Sequence, residues 1–265
     1  MKSFRPALAA LLLLAAVAAP ARAQTAAEHI AMGDRDHAAM NSAAALRHYE
    51  AAAQLEPKNY EALWKASRDA IDAGEFNRDA SQRTQLYKTS ELYARRAVEA
   101  NPQDAEGHFA LARALGRTAL TLGKKDRVKY AGDVRAHALE ALKLDPKHPG
   151  ALHVMGMWNA EVMRLSGVAR WAAKNFLGGQ VFESASWKEA VRYMEQSVAV
   201  DPDRITHRLD LGKIYLDTDD RAKARAMFEQ IGRMPVNEAG DAQRKSEAQC
   251  LLGGKSANAC EKSAA

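Results

Sequence analysis

The stretch Glu140-Ala-Leu-Lys-Leu-Asp-Pro-Lys-His-Pro-Gly-Ala-Leu-His153 ends one helical pattern and opens another within four residues. Pro146 cannot continue a helix, and it biases Asp145 out of the α region. The same punctuation recurs as Leu55-Glu56-Pro57-Lys58, Ala100-Asn101-Pro102-Gln103 and Val200-Asp201-Pro202-Asp203. Each copy follows an alanine-rich amphipathic segment and precedes another. Strand signals are almost absent, with no Asn-Gly hairpin and no sustained alternation, whereas helical periodicity runs from Ala26 onward. The chain counts off helix pairs.

The prolines at 57, 102, 146, 202 and 235 are separated by 45, 44, 56 and 33 residues. A tetratricopeptide repeat is ~34 residues long, a helix-turn-helix with small residues where its helices touch and a Pro at its end. The first repeat fits in register, with Met32-Gly33, Ala45, Tyr49, Ala52 and Pro57 at the template positions. The last fits through Leu211-Gly212, Tyr215, Ala224 and Phe228, with Pro235 one residue early. The expected fold is an all-α tetratricopeptide-like solenoid. Its repeats are placed at about 26–59, 60–103, 104–147, 148–203 and 204–237, with a capping helix at 238–252 and a disordered tail at 253–265. The middle repeats exceed the template by roughly 11, 10 and 22 residues. Eleven residues make close to three helical turns, so repeats two and three are read as helix pairs with one lengthened arm, stopped at Gly74 and Gly123. In the fourth repeat, Val168 to Leu177 reads as a short inserted helix, and Ser186 with Glu189 as a capping box.

Residues 1–23 carry Lys2 and Arg5, an apolar run from Ala7 to Ala19, and Ala21-Arg22-Ala23 before Gln24. That pattern is a cleavable export signal, and its apolar run is shorter than the ~20 residues that span a bilayer. The expected location is therefore outside the cytoplasm, periplasmic or extracellular. Without the leader, 35 basic residues face 33 acidic ones, a net charge of about +2 instead of the whole chain's +5. A global case for nucleic-acid binding fails on that balance. Cys250 and Cys260 are the two cysteines; they either close a short tail loop in an oxidising compartment, stay free, or pair between chains.

Three further stretches resemble a known family. Trp64-x3-Arg68, Leu142-x-Leu-Asp-Pro-x-x-Pro149 and Met155-Gly-Met-Trp-Asn-Ala-Glu-Val-Met-Arg-Leu-Ser166 are similar to the repeat domain of the regulator of microtubule dynamics family. The similarity continues through Ala172 to Gly178, Ser186 to Ala190 and Leu211-Gly-Lys-Ile-Tyr215, covering about residues 60–230. The resemblance implies a non-catalytic helical repeat domain used for association. Eukaryotic members are linked to microtubules and organelle contacts, and at least one to lipid. Here the export signal replaces the family's anchor helix and coiled coil. Fold and binding role carry over; the microtubule partner does not.

No catalytic constellation emerges from the residues. Gln249-Cys-Leu-Leu-Gly-Gly-Lys-Ser256 ends like a phosphate loop but has Gln249 where the motif needs Gly. The eight His are scattered, and His148 and His153, five apart, do not share a helical face, so no metal or other cofactor is expected. The basic run Lys124 to Lys129 reads as a solvated helix start.

Solenoids of this kind bind peptides along the face made by the first helix of each pair. The repeat registers place Lys65, Asp69, Arg113, Arg117, His153, Met157, Glu161 and Lys213 there. This mixture suits a polypeptide with acidic groups and an apolar segment. The alternative is a lipid held in a cavity between repeats three and five, lined by Trp158, Trp171 and Phe176.

Overall fold

The computed structural model describes residues 24–75, 77–167, 169–171 and 179–264. The leader, Phe176 and most of the inserted helix lie outside the described residues. Five helical hairpins follow one another: α1 (Ala26–Ala38) with α2 (Ser42–Leu55), α3 (Tyr60–Glu75) with α4 (Ala80–Ala100), α5 (Ala105–Leu120) with α6 (Lys124–Leu144), α7 (Pro149–Arg164) with α8 (Trp187–Val200), and α9 (Ile205–Asp217) with α10 (Arg221–Arg233). Two more helices, α11 (Asp241–Leu252) and α12 (Ala257–Ala264), close the C-terminal end. A 3-10 turn, Gly179–Ser184, lies between α7 and α8. None of the described helices is long and apolar enough to cross a membrane.

Local chemistry sets the helix ends. Pro57, Pro102, Pro146 and Pro202 sit in the turns after α2, α4, α6 and α8. At α1 the capping box is complete: Thr25 Oγ1 accepts from the Glu28 amide, and the Thr25 amide donates to Glu28 Oε2 at 2.7 Å. At α8 only half of the expected box forms. Ser186 caps the Glu189 amide, but the Glu189 carboxylate takes the Arg192 guanidinium instead.

Small residues bring the two helices of a hairpin together. A Cβ added at Gly33 would lie 2.5 Å from Cε1 of the fully buried Tyr49, and Gly212 faces the Phe228 ring in the same way. Gly74, expected to stop a helix, is the penultimate residue of α3, and the Tyr87 ring of α4 covers it. The extra length of repeats two and three also differs from the expected single long arm. Whereas α1 and α2 have 13 and 14 residues, α3 and α4 have 16 and 21, as do α5 and α6. Additions of three and seven residues are close to one and two whole turns, so both arms grow without turning their buried faces away. Lengthening one arm alone would have left its added turns without a partner helix.

The apolar core is divided along the solenoid, as nearest-neighbour stacking requires. One cluster joins α1 to α4, a second joins α3 to α7, and a third joins α7 to α12. The C-terminal tail, expected to lack order, carries α12 instead. Cys260 of α12 is fully buried in the third cluster and disulfide-bonded to Cys250 of α11, with Cα atoms 5.5 Å apart. Burial of one side chain and a covalent tie hold a segment too polar to dock by composition alone.

Candidate functional site: the charged face of the first helices

Each first helix touches the first helix of the next repeat, from α1 through α3, α5, α7 and α9 to α11. This is the inner face of the solenoid, and charged pairs cross it between α1 and α3, α3 and α5, α7 and α9, and α9 and α11. Lys65 of α3 donates to Asp34 of α1 at 2.6 Å and to Glu61 at 2.7 Å. Fully buried Asp69 takes His37 of α1 at 2.8 Å and its neighbour Arg68. Arg113 of α5 binds Asp72 of α3 at 2.6 Å, and Arg117 binds Glu75 at 2.8 Å. Further on, His153 of α7 reaches Asp210 of α9, Arg164 reaches Asp217, and Lys213 of α9 reaches Glu247 of α11.

One pair closes the line on itself. Arg244 of α11 donates to Glu75 of α3 at 2.9 Å, across 169 residues of sequence. The solenoid therefore curls far enough for α11, beyond the last hairpin, to meet the second repeat. Glu75 sits between Arg117 and Arg244, one on each carboxylate oxygen. Burial alone would raise its pKa, but Arg117, Arg244 and Arg113 pull it down to about 2. Asp210 is likewise held below the usual carboxylate range against its burial by the His153 hydrogen bond and Lys213. His207 of α9, stacked on His153 with ring centres 4.7 Å apart, is pushed down to about 2 by burial and by His153. The carboxylate and imidazole atoms of His37, Asp69 and Asp72 lie within 4.8 Å of one another. Arg68 and Arg113 already neutralise those two carboxylates, so this cluster suits an ion-pair network and disfavours a cation.

The profile of the family described as regulator of microtubule dynamics protein 1-3 matches residues 29–256. The chain belongs to this family. The mouse (Mus musculus) regulator of microtubule dynamics protein 1 is 26% identical over 201 residues, 75% of this chain and 65% of its own length. The human (Homo sapiens) protein of that name is 27% identical over 191 residues, covering 71% of this chain and 60% of the human one. The chain thus spans less than two thirds of the family relatives it matches. A tetratricopeptide protein of Thermus thermophilus superposes with a TM-score of 0.62 at 18% identity, over 86% of this chain and all of that one. The fold is the all-α tetratricopeptide solenoid.

The eight residues assigned to the inner face divide in two. Lys65, Asp69, Arg113, Arg117, His153 and Lys213 are engaged in the cross-helix pairs. Met157 packs against the third core cluster, and Glu161, 55% exposed at its side chain, pairs with Arg164. The acceptors Asp72, Glu75 and Asp210 were missed, although Lys65, Asp69 and Asp72 follow i, i+4, i+7 spacing on α3. Of the residues of the lipid alternative, Trp158 and Trp171 differ in burial. Trp158 is buried, stacked on Phe182 of the 3-10 turn, with its indole N–H donated to the Ala131 carbonyl at 2.8 Å. Trp171 is 59% exposed, and Phe176 lies outside the described residues. Two open notches lie on the described surface, one at Glu56 to Asn59 and one along Trp187, Val191 and Thr218.

Acid should loosen this face in two stages. His207 has a folded pKa far below its unfolded value of ~6.5, so stability is full above that value and declines as pH falls below it. Glu75 contributes above its unfolded value of ~4.5, and that contribution fades as pH falls toward 2. Unfolding free energy by urea should drop about 1–2 kcal/mol between pH 7.5 and 5.0 and more steeply below pH 4.5. A flat profile from pH 7.5 to 5.0 would remove His207 from this account.

Proposed function

We propose that this chain is a non-catalytic association module, exported from the cytoplasm, that holds another polypeptide along the inner face of its first helices. The observation that supports it most is the set of Lys, Arg, Asp and Glu pairs that recur along the first helices from Asp34 to Glu247, borne on an architecture that other proteins use for peptide binding. A partner with its own carboxylates exchanges with Asp72 or Glu247 on Arg113 and Lys213, and its apolar residues reach the stretch near Met157. The leader-like residues 1–23 and the Cys250–Cys260 disulfide suit an oxidising compartment outside the cytoplasm. The microtubules of the relatives' name are not carried over, because an exported chain does not meet them.

The test places a photo-crosslinking amino acid at Glu161 on the inner face and, separately, at exposed Glu99 on α4, in cells that export the protein. Crosslinks to a discrete polypeptide from position 161 and not from 99 are expected, in the extracytoplasmic fraction. Equal capture at both positions, or protein retained in the cytoplasm, would sink the reading.

A further inference from the structure

Two histidine pairs recur at equivalent places in the first and third hairpins. His29 is the fourth residue of α1 and His108 the fourth of α5; His48 stands seven residues before the end of α2, and His137 seven before the end of α6. Hairpins two and four have Leu63 with Tyr93 and Leu152 with Tyr193 at these positions, so an apolar contact is enough to join the helices there. In both histidine pairs the Nδ1 atoms face each other, 3.2 Å apart for His29 and His48 and 3.0 Å for His108 and His137.

The far nitrogens decide what those Nδ1 atoms offer. His108 Nε2 lies 3.1 Å from the Pro102 carbonyl, which only accepts, so the proton of neutral His108 is on Nε2 and its Nδ1 lone pair is bare. His48 Nε2 lies 3.5 Å from the Asp36 carboxylate, whose charge favours the same tautomer. A carboxylate or carbonyl behind the ring, with the other nitrogen turned to a shared point, is the outer-shell pattern of metal-ligating histidine. Metal–imidazole bonds of ~2.0–2.1 Å set two ligand nitrogens about 2.9 Å apart at a right angle and about 3.4 Å apart at a tetrahedral one. Both observed spacings fall inside that interval.

We propose that His29 with His48, and His108 with His137, are two-imidazole sites for a borderline divalent transition-metal ion such as Cu2+, Ni2+ or Zn2+. Neutral imidazole suits these ions and not Mg2+ or Ca2+. The ion takes the bare lone pair of His48 or His108, and the proton on the partner Nδ1 moves to that ring's Nε2, so both rings ligate as neutral imidazoles with no net proton lost. Water completes the coordination. The half-buried first pair is the more accessible, and the ion ties the two helices of each hairpin together.

The experiment titrates Cu2+ into the full chain, purified without a polyhistidine tag, and follows the electron paramagnetic resonance signal. Two equivalents with a two-nitrogen signature are expected. His48→Gln and His137→Gln should each remove one equivalent, and the double variant both. Asp36→Ala should weaken the first site about 10- to 100-fold while leaving the second unchanged. Circular dichroism without metal checks that each variant folds. Should a variant fail to fold, imidazole 15N spectra of the unmodified chain with Zn2+ decide instead: resonances of His29, His48, His108 and His137 should shift, and those of His37, His148, His153 and His207 should not. A wild-type chain without a two-nitrogen signal would overturn the proposal, leaving each pair as a simple N–H···N hydrogen bond. So would a signal that persists in the double variant, or shifts spread over all eight histidines.

Discussion

Gly156→Val should lower the unfolding free energy by about 3 kcal/mol, the upper end of what overpacking costs. A Cβ at Gly156 would overlap the Met194 side chain and lie 3.2 Å from the Met194 backbone nitrogen. Met194 is fully buried in α8 among the third core cluster, so its side chain moves only by displacing packed neighbours, and its backbone yields by separating α7 from α8. Gly132→Ala, in α6, supplies the contrast. Nothing lies within 4 Å of its added Cβ, so this substitution should gain about 0.5–1 kcal/mol by restricting the unfolded chain. Urea midpoints of the two variants test the pair. A Gly156→Val midpoint near wild type would mean that the hairpin does not depend on close helix contact at that point.

The same glycines explain why the fold was legible in the sequence. A small residue in one helix facing an aromatic in the next, as with Gly33 and Tyr49 or Gly212 and Phe228, is a local signal with fixed spacing. The proline stops are equally local, since each acts on its own backbone. The sharing of extra length between both arms was less legible, because it depends on contact between α3 and α4, or α5 and α6, across their turns. Order in the tail was not legible either: burial of Cys260 against α9 to α11 is a tertiary fact, and the segment's composition points the other way.

Site residues follow the same division. Periodicity placed Lys65, Asp69, Arg113, Arg117, His153 and Lys213 on the first-helix face. What each one binds depends on the rise and turn from one hairpin to the next, which sequence spacing does not encode. The partners Asp72, Glu75 and Asp210 carry the matching charge on that same face. The result is a face whose charges are largely satisfied by one another, where the residues alone suggested charges waiting for a ligand. The histidine pairs are a milder case: each ring's position could be read by aligning repeat one on repeat three, but their opposed Nδ1 atoms could not.

Glu75→Ala should cost about 3–5 kcal/mol, the range for removing one partner from a buried charge network. Glu75 ends α3, and its two oxygens hold Arg117 of the next hairpin and Arg244 of α11. Without it, two guanidinium groups face the same small volume with their shared anion gone. Arg244 is only 8% exposed, so water cannot substitute without α11 drawing away from α3. The loss should therefore be uneven along the chain. Hydrogen exchange should show α11 and α12 losing protection first, then α9 and α10, while α1 and α2 keep theirs, because each hairpin of a solenoid is supported mainly by its neighbours. Glu75→Gln keeps the volume and an acceptor oxygen but not the charge, so it should fall between Ala and wild type. It should also flatten the steep acid decline below pH 4.5, since the group that titrates there is gone. Uniform loss of protection along the chain would mean that Glu75 supports the second hairpin only and that its link to Arg244 does not hold the ends together.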